Sequence, residues 1–205
     1  MESISLRLGT RDVLGALDSI RRYCGLGWSG GPSETWAYRY FDLVPSESPD
    51  EVTPVDVLAA AALHPGLSRN DLGFFVDRAH DLSMWLKEVP VDLALAEADD
   101  ELLAHLNSLT DFDGASFTLL TKVMHRKRPQ LVVMLDRHII DWYRPVTGER
   151  SAKPAWSPIL RSMRADVTDA EQSLAAIADA LRSEMETPPS AIRMIDIAIW
   201  MGAQK

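Results

Sequence analysis

The chain has 205 residues, of which 46% are hydrophobic and 25% charged, and a formal net charge of −9. That length buries roughly 70% of the extended chain's surface, so a core forms without covalent staples; the single cysteine, Cys24, excludes an intramolecular disulfide and fits a reducing compartment. No apolar run approaches the roughly 20 residues of a membrane span, and the opening MESISLRLGTRD has no basic leader before an apolar stretch, so the expectation is one cytoplasmic domain over 1–205 with no membrane contact.

In chain order, Thr10 is placed to cap a first helix carrying Val13, Leu14, Leu17 and Ile20, with Gly25 and Gly27 past its end. The stretch 25–33, GLGWSGGPS, reads as a flexible loop. SETWAYRYFDLV (33–44) suits either a strand or a short helix, and the polar, proline-bearing PSESPDEV (45–52) reads as a second flexible connection. TPVD is a clear helix start, with Thr53 as cap, Pro54 in the first position and Asp56 in the first turn; this helix ends near His64-Pro65-Gly66. Ser68 caps the next, whose apolar residues from Leu72 to Leu86 fall three or four apart, and Pro90 closes that region. A further helix is predicted over 100–109. Later, Thr168 and Glu171 are spaced for a capping box opening a helix with Leu174, Ile177 and Leu181 on one face, and AIRMIDIAIWMG makes a last, core-facing helix. Only LVVML (131–135) looks like a strand, and one strand makes no sheet. The predicted fold class is all-α, a multi-helix domain of about eight to ten helices with short connections.

Charge is unevenly spread. Residues 121–150 hold seven Lys/Arg against three Asp/Glu, which leaves 14 basic and 27 acidic residues in the remainder. The acidic whole opposes non-specific attraction to nucleic acid, so any polyanion site belongs in this middle segment. Within it, LTDFDGASFTLLTKVMHRKRP reads as two helices joined at Asp113-Gly114-Ala115, a helix-hairpin-helix candidate. Ser116 is placed to cap the second helix, whose first N–H groups then suit a phosphate. Lys122, His125, Arg126, Lys127 and Arg128 lie toward its other end, where they also offset the helix dipole. Pro129 stops that helix, LVVML crosses the core, and Asp136 begins the next. An aspartate here serves as N-cap, and it also presents a carboxyl beside the basic cluster. His138 follows in the first turn as a group able to bond a carboxylate or carbonyl.

Helix, Gly-containing hairpin, helix, Lys/Arg-Pro, an apolar run and then Asp-x-His resembles the core motif of the helix-hairpin-helix DNA glycosylases. The resemblance covers about 30 residues. It implies that the hairpin holds a DNA backbone, that the target base is flipped out, and that Asp136 stabilises positive charge on the sugar or activates water. Two features depart from that family. Its bifunctional members have a nucleophilic lysine where this chain has Phe117, and Lys122 lies about 140° further around the helix, so Schiff-base chemistry is not expected. The usual Gly-apolar-Gly is Asp113-Gly114-Ala115 here, and an aspartate repels the phosphate a hairpin should grip. TPVDVLAAAAL, WLKEVPVDLAL, KVMHRKRPQLVVMLD and RMIDIAIWMG, spread over most of the chain, resemble a family of uncharacterised bacterial proteins with a Lys-x-x-x-Arg-Lys-Arg-Pro run and a following Asp, for which no activity is carried over.

The five histidines lack metal-ligand spacing, and no CxxC, Walker loop, dinucleotide fingerprint or nucleophile elbow occurs; no metal or other cofactor is expected. The six tryptophans read as core or cleft residues. The leading expectation is a DNA-binding, glycosylase-like protein. Asp136 is its candidate catalytic carboxylate, with Gly114, Ser116, Lys122, Arg126, Lys127, Arg128, Arg137 and His138 as candidate nucleic-acid or anion contacts. The alternative is a non-enzymatic protein that retains the fold and binds a protein or a small anionic ligand.

Overall fold

The computed structural model describes residues 4–26, 37–64 and 66–203. The expected loop at 25–33 falls mostly outside them, as do Trp28 and Trp36. Eleven α-helices and one two-stranded sheet make up the described chain, so it is mostly helical. No described helix is long and apolar enough to cross a membrane.

The sheet corrects the first prediction. Leu6–Leu8 (β1) pairs antiparallel with Arg11–Val13 (β2), and the turn between them uses Gly9 at φ +57°, a left-handed conformation glycine adopts without a Cβ clash. Thr10 therefore sits in a hairpin turn and caps no helix. Leu14 is 71% exposed, and α1, Ala16–Cys24, begins after it. Leu17 and Ile20 do face the core from α1, and Gly25 ends it with a left-handed residue. The hairpin is tied to the body at its turn, where Gly9 donates its N–H to Asp166 Oδ1 at 2.6 Å.

The ambiguous 33–44 stretch yields a short helix, α2, Tyr38–Phe41. Thr53 and Ser68 cap α3 (Pro54–Ala61) and α4 (Arg69–Asp77), each in a complete capping box with Asp56 and Asp71 as the returning carboxylates. The long helix expected through Leu86 breaks at Arg78 into α4 and α5, Ala79–Lys87. Asp99 caps α6, Asp100–Asn107, which tightens into a 3-10 turn over Ser108–Asp111 before α7, Phe117–Lys127. Then come α8, Arg137–Thr147, the long α9, Ala152–Asp169, α10, Glu171–Arg182, and α11, Ala191–Gly202. The box expected between Thr168 and Glu171 does not form. Thr168 is still inside α9 and donates back to Arg164 O at 3.0 Å, so the break between the helices comes two residues later than the motif suggests.

Three consecutive parts of the chain and the last helix form the centre. LVVML is buried throughout but forms no strand: Leu131 and Val132 turn back to Arg128 O, and the Leu135 N–H is satisfied by Thr121 Oγ1 of α7 at 3.0 Å. α11 is buried from Ile192 to Ile199 and packs on α1, α8 and α9. α9 packs on α6, α7, α8 and β1, and its Trp156, fully buried, donates to Leu106 O at 3.0 Å and meets Phe117 edge-on at 5.7 Å. These contacts present the end of LVVML, the middle of α7 and the inner face of α11 to one another.

Candidate functional site

Where those parts meet, a cavity of about 590 Å³ opens. Lys122 of α7, Met134 and Asp136 from the end of the apolar run, Asp196, Ile197 and Trp200 of α11, Tyr23 of α1, Tyr40 of α2 and the Leu63–His64 turn after α3 line it. A shallower groove of about 860 Å³ lies alongside, carrying Thr118, Arg137, His138, Asp141, Arg144 and Arg150. The two share Leu63, His64, Lys122 and Asp136 as a common wall. The inner space is largely apolar and aromatic; the outer one has three exposed arginines on its rim.

Asp136 does cap its helix. Its Oδ1 accepts the Ile139 N–H at 2.9 Å at the start of α8, a position where the free N–H groups and the helix dipole favour an anion. It is nonetheless half-buried on the wall of both recesses. Capping and an open carboxyl are therefore compatible, because one oxygen serves the helix.

Lys122 is only 4% exposed, and its Nζ donates to Leu63 O at 2.7 Å. Burial pulls its pKa down, while the carboxylates of Asp136 and Asp196 oppose that shift. Asp196 is 6% exposed and bonds to Arg193 one turn earlier on α11. Arg193 in turn holds Asp42 with two parallel bonds, at 2.7 and 2.8 Å, and lies over the rings of Tyr23 and Phe41. Burial pushes the Asp196 carboxyl up to about 7, the Asp136 charge adds to this, and Arg193 and Lys122 oppose it. Burial also raises the Tyr23 hydroxyl, and the Arg193 charge counters it in part.

The basic cluster sits elsewhere, which corrects three expected phosphate contacts. The Arg126 side chain is 4% exposed and donates to Val44 O at 2.9 Å and Phe41 O at 2.5 Å. Lys127 Nζ binds Ser46 Oγ, Ser48 O and the Asp56 carboxylate. Arg128 is fully buried, donating to Leu86 O, Val89 O and Pro49 O and pairing with Asp50 at 2.7 Å. These cations latch the 41–50 connection onto the core, so the segment expected to be a loose link is hydrogen-bonded from inside. Asp56, enclosed between Arg126 and Lys127, illustrates the balance. Burial alone raises a carboxyl, but the bonds from Lys127 and Thr53 hold it below the usual range. His125 is buried against Val132 O at 2.6 Å, and burial lowers it to about 4, so it is neutral and structural.

The turn expected to grip a phosphate, between the 3-10 turn and α7, is already engaged. Gly114 at φ +120° passes close to Phe74, whose Cδ2 lies 3.3 Å from where a Cβ would stand. Ser116 makes no capping bond to its own helix; its N–H is taken by Asp71 Oδ1 at 2.7 Å and its Oγ meets His64 Nε2 at 3.1 Å. Asp113 pairs with Lys153. An anion at the start of α7 would face carboxylates there, so the phosphate role expected of Ser116 and its neighbours does not fit this geometry. Of the other sites expected from the sequence, Lys122, Asp136, Arg137 and His138 are brought together. Asp196, Arg193, Tyr23 and Tyr40 were not anticipated. A signal for two of them existed in Arg193 and Asp196, an i, i+3 ion pair inside an otherwise apolar helix.

No curated protein and no solved structure matches the chain. One family model does, over residues 16–203, which spans every element named here except the N-terminal hairpin. The chain belongs to the family of unknown function DUF6308.

Proposed function

We propose that the chain binds DNA and carries glycosylase-like chemistry, with the base of a flipped-out nucleotide in the inner cavity and backbone phosphates along the outer groove. The observation that carries this reading is the position of Asp136 on the wall shared by an aromatic cavity and an arginine-rimmed groove. A volume of about 590 Å³ lies within the roughly 300–1,000 Å³ of small-molecule sites. Tyr40 and Trp200 put aromatic rings on the cavity wall for stacking, and Arg137, Arg144 and Arg150 offer phosphate contacts. Asp136 would then stand beside the sugar, where a fixed carboxylate stabilises developing positive charge. The alternative, a binder of a free nucleotide or similar small anion, uses the same two recesses. It is favoured by Asp71 closing off the start of α7.

Two measurements test the reading. Duplex binding, followed by fluorescence anisotropy, is expected to weaken with salt by about 0.9 log unit per log unit for each phosphate engaged. No binding at low salt would leave the small-anion reading in place. Base release from duplexes carrying a damaged base is expected to fall by about 10²-fold or more in Asp136→Asn. Asparagine caps as well as aspartate, so the variant should melt like the wild type. Wild-type release in the variant would reduce Asp136 to its cap.

A further inference from the structure

Two carboxylates and two cations line the inner cavity, and a third carboxylate joins them through Arg193. Arg193 and Asp196 come from α11, Lys122 from α7, Asp136 from the start of α8 and Asp42 from the turn after α2; the Tyr23 hydroxyl of α1 accepts from Arg193 Nη2 at 2.5 Å. With every group ionised, this cluster holds one more negative than positive charge. One bound proton balances it, and the geometry decides where it sits. Asp42 is locked as the anion by its paired bonds to Arg193. Asp136 lies at a helix N-terminus with a backbone N–H on one oxygen, which favours the anion. Asp196 has neither advantage: it is 6% exposed, lies inside a helix away from its N-terminus, and shares a guanidinium already matched by Asp42.

We propose that Asp196 is the general acid of this pocket, resting on the glycosylase-like reading above. As the bond between the sugar carbon and the base nitrogen breaks, its electron pair goes to the base, and Asp196 gives its proton to a ring nitrogen of the leaving base. Water adds to the sugar carbon and yields its proton to Asp136, which stays ionised until that point. The net change is hydrolysis of the glycosidic bond, and proton exchange with solvent resets both carboxyls. Two carboxyls in one cavity, one at a helix start and the other buried beside like charge, can divide the labour in the way such chemistry requires. The raised pKa of Asp196, about 7, agrees with this assignment.

One test needs no turnover. In the wild-type protein, the carboxyl carbon resonance of Asp196, assigned by its loss in Asp196→Asn, should titrate with a midpoint near 7; a midpoint below about 5, close to an ordinary aspartate, overturns the proposal. The second is single-turnover base release from duplexes each bearing one uracil, hypoxanthine, 8-oxoguanine or 7-methylguanine. Wild-type release should fall as pH rises through about 7, and Asp196→Asn should lose about 10²- to 10⁴-fold and flatten that fall. Wild-type release rates and pH profile in Asp196→Asn sink the Asp196 assignment while leaving the glycosylase-like reading intact. If the wild type releases no base from any duplex, both fall together.

Discussion

Lys122 and Arg126 stand one turn apart on α7 and face the same neighbour, α3, yet they belong to different regions of the molecule. Lys122 reaches the carbonyl of Leu63, just past the C-terminal end of α3, on the wall of the cleft; Arg126 reaches Asp56 in its first turn, inside the latch. The two helices therefore run in opposite directions, and a basic side chain at each end meets a different electrostatic environment. In the latch, Arg126, Lys127 and Arg128 face carbonyls and carboxylates that answer every positive charge with a fixed acceptor. In the cleft, Lys122 shares a cavity with Asp136 and Asp196, and the rim arginines stay in water. Positive charge in the first region fixes a backbone; in the second, the rim arginines keep it at the surface, Arg137 and Arg144 beside Asp141.

The sharpest way to break that comparison is at Arg128. Arg128→Met leaves Leu86 O, Val89 O, Pro49 O and Asp50 without their donor and should cost about 3–5 kcal/mol in denaturant unfolding. A loss of DNA affinity at unchanged stability would instead return Arg128 to the surface. Asp56→Asn should cost about 1.5–3 kcal/mol at neutral pH. Its folded pKa is depressed, so its contribution is present above the unfolded value, about 3.9, and is lost as pH falls through the lower folded value. The gap between wild type and variant should accordingly close in acid. Gly114→Ala forces a Cβ toward Phe74 at a left-handed φ and should cost about 1–2 kcal/mol, read by thermal melting. The combined replacement of Arg137, Arg144 and Arg150 by alanine should leave the melting temperature unchanged. It should also flatten the salt dependence of duplex binding by about 0.9 for each phosphate contact removed. Unchanged salt dependence would sever the outer groove from nucleic acid.

Local chemistry was legible in the sequence wherever it was self-contained. Thr53 and Ser68 found their caps within three residues, Gly25 supplied its own left-handed turn, and LVVML could only be buried. The misreadings that bear on the site depend on partners far along the chain. Leu17 and Ile20 continue the spacing of Val13 at helical intervals, which masks a hairpin whose turn is held by Asp166, more than 150 residues away. HRKRP reads as an anion-binding patch because its acceptors, carbonyls between 41 and 50 and near 86–89, lie far away in sequence. The cavity floor was hidden for the same reason: Asp196 reads as one polar residue in a core helix until α1, α7 and the start of α8 close around it.

Asp71 has a last consequence. Its two oxygens are divided between Ser68, at the start of α4, and the Ser116 N–H, at the start of α7. The protein thus fills the berth at its own hairpin with a built-in anion. A bound strand would have to lie along the α8 side instead, following Arg137 and Arg144 toward Arg150, with Asp136 at the point where one nucleotide turns inward. On the proposed reading, the direction of approach would be set by a carboxylate that touches no ligand.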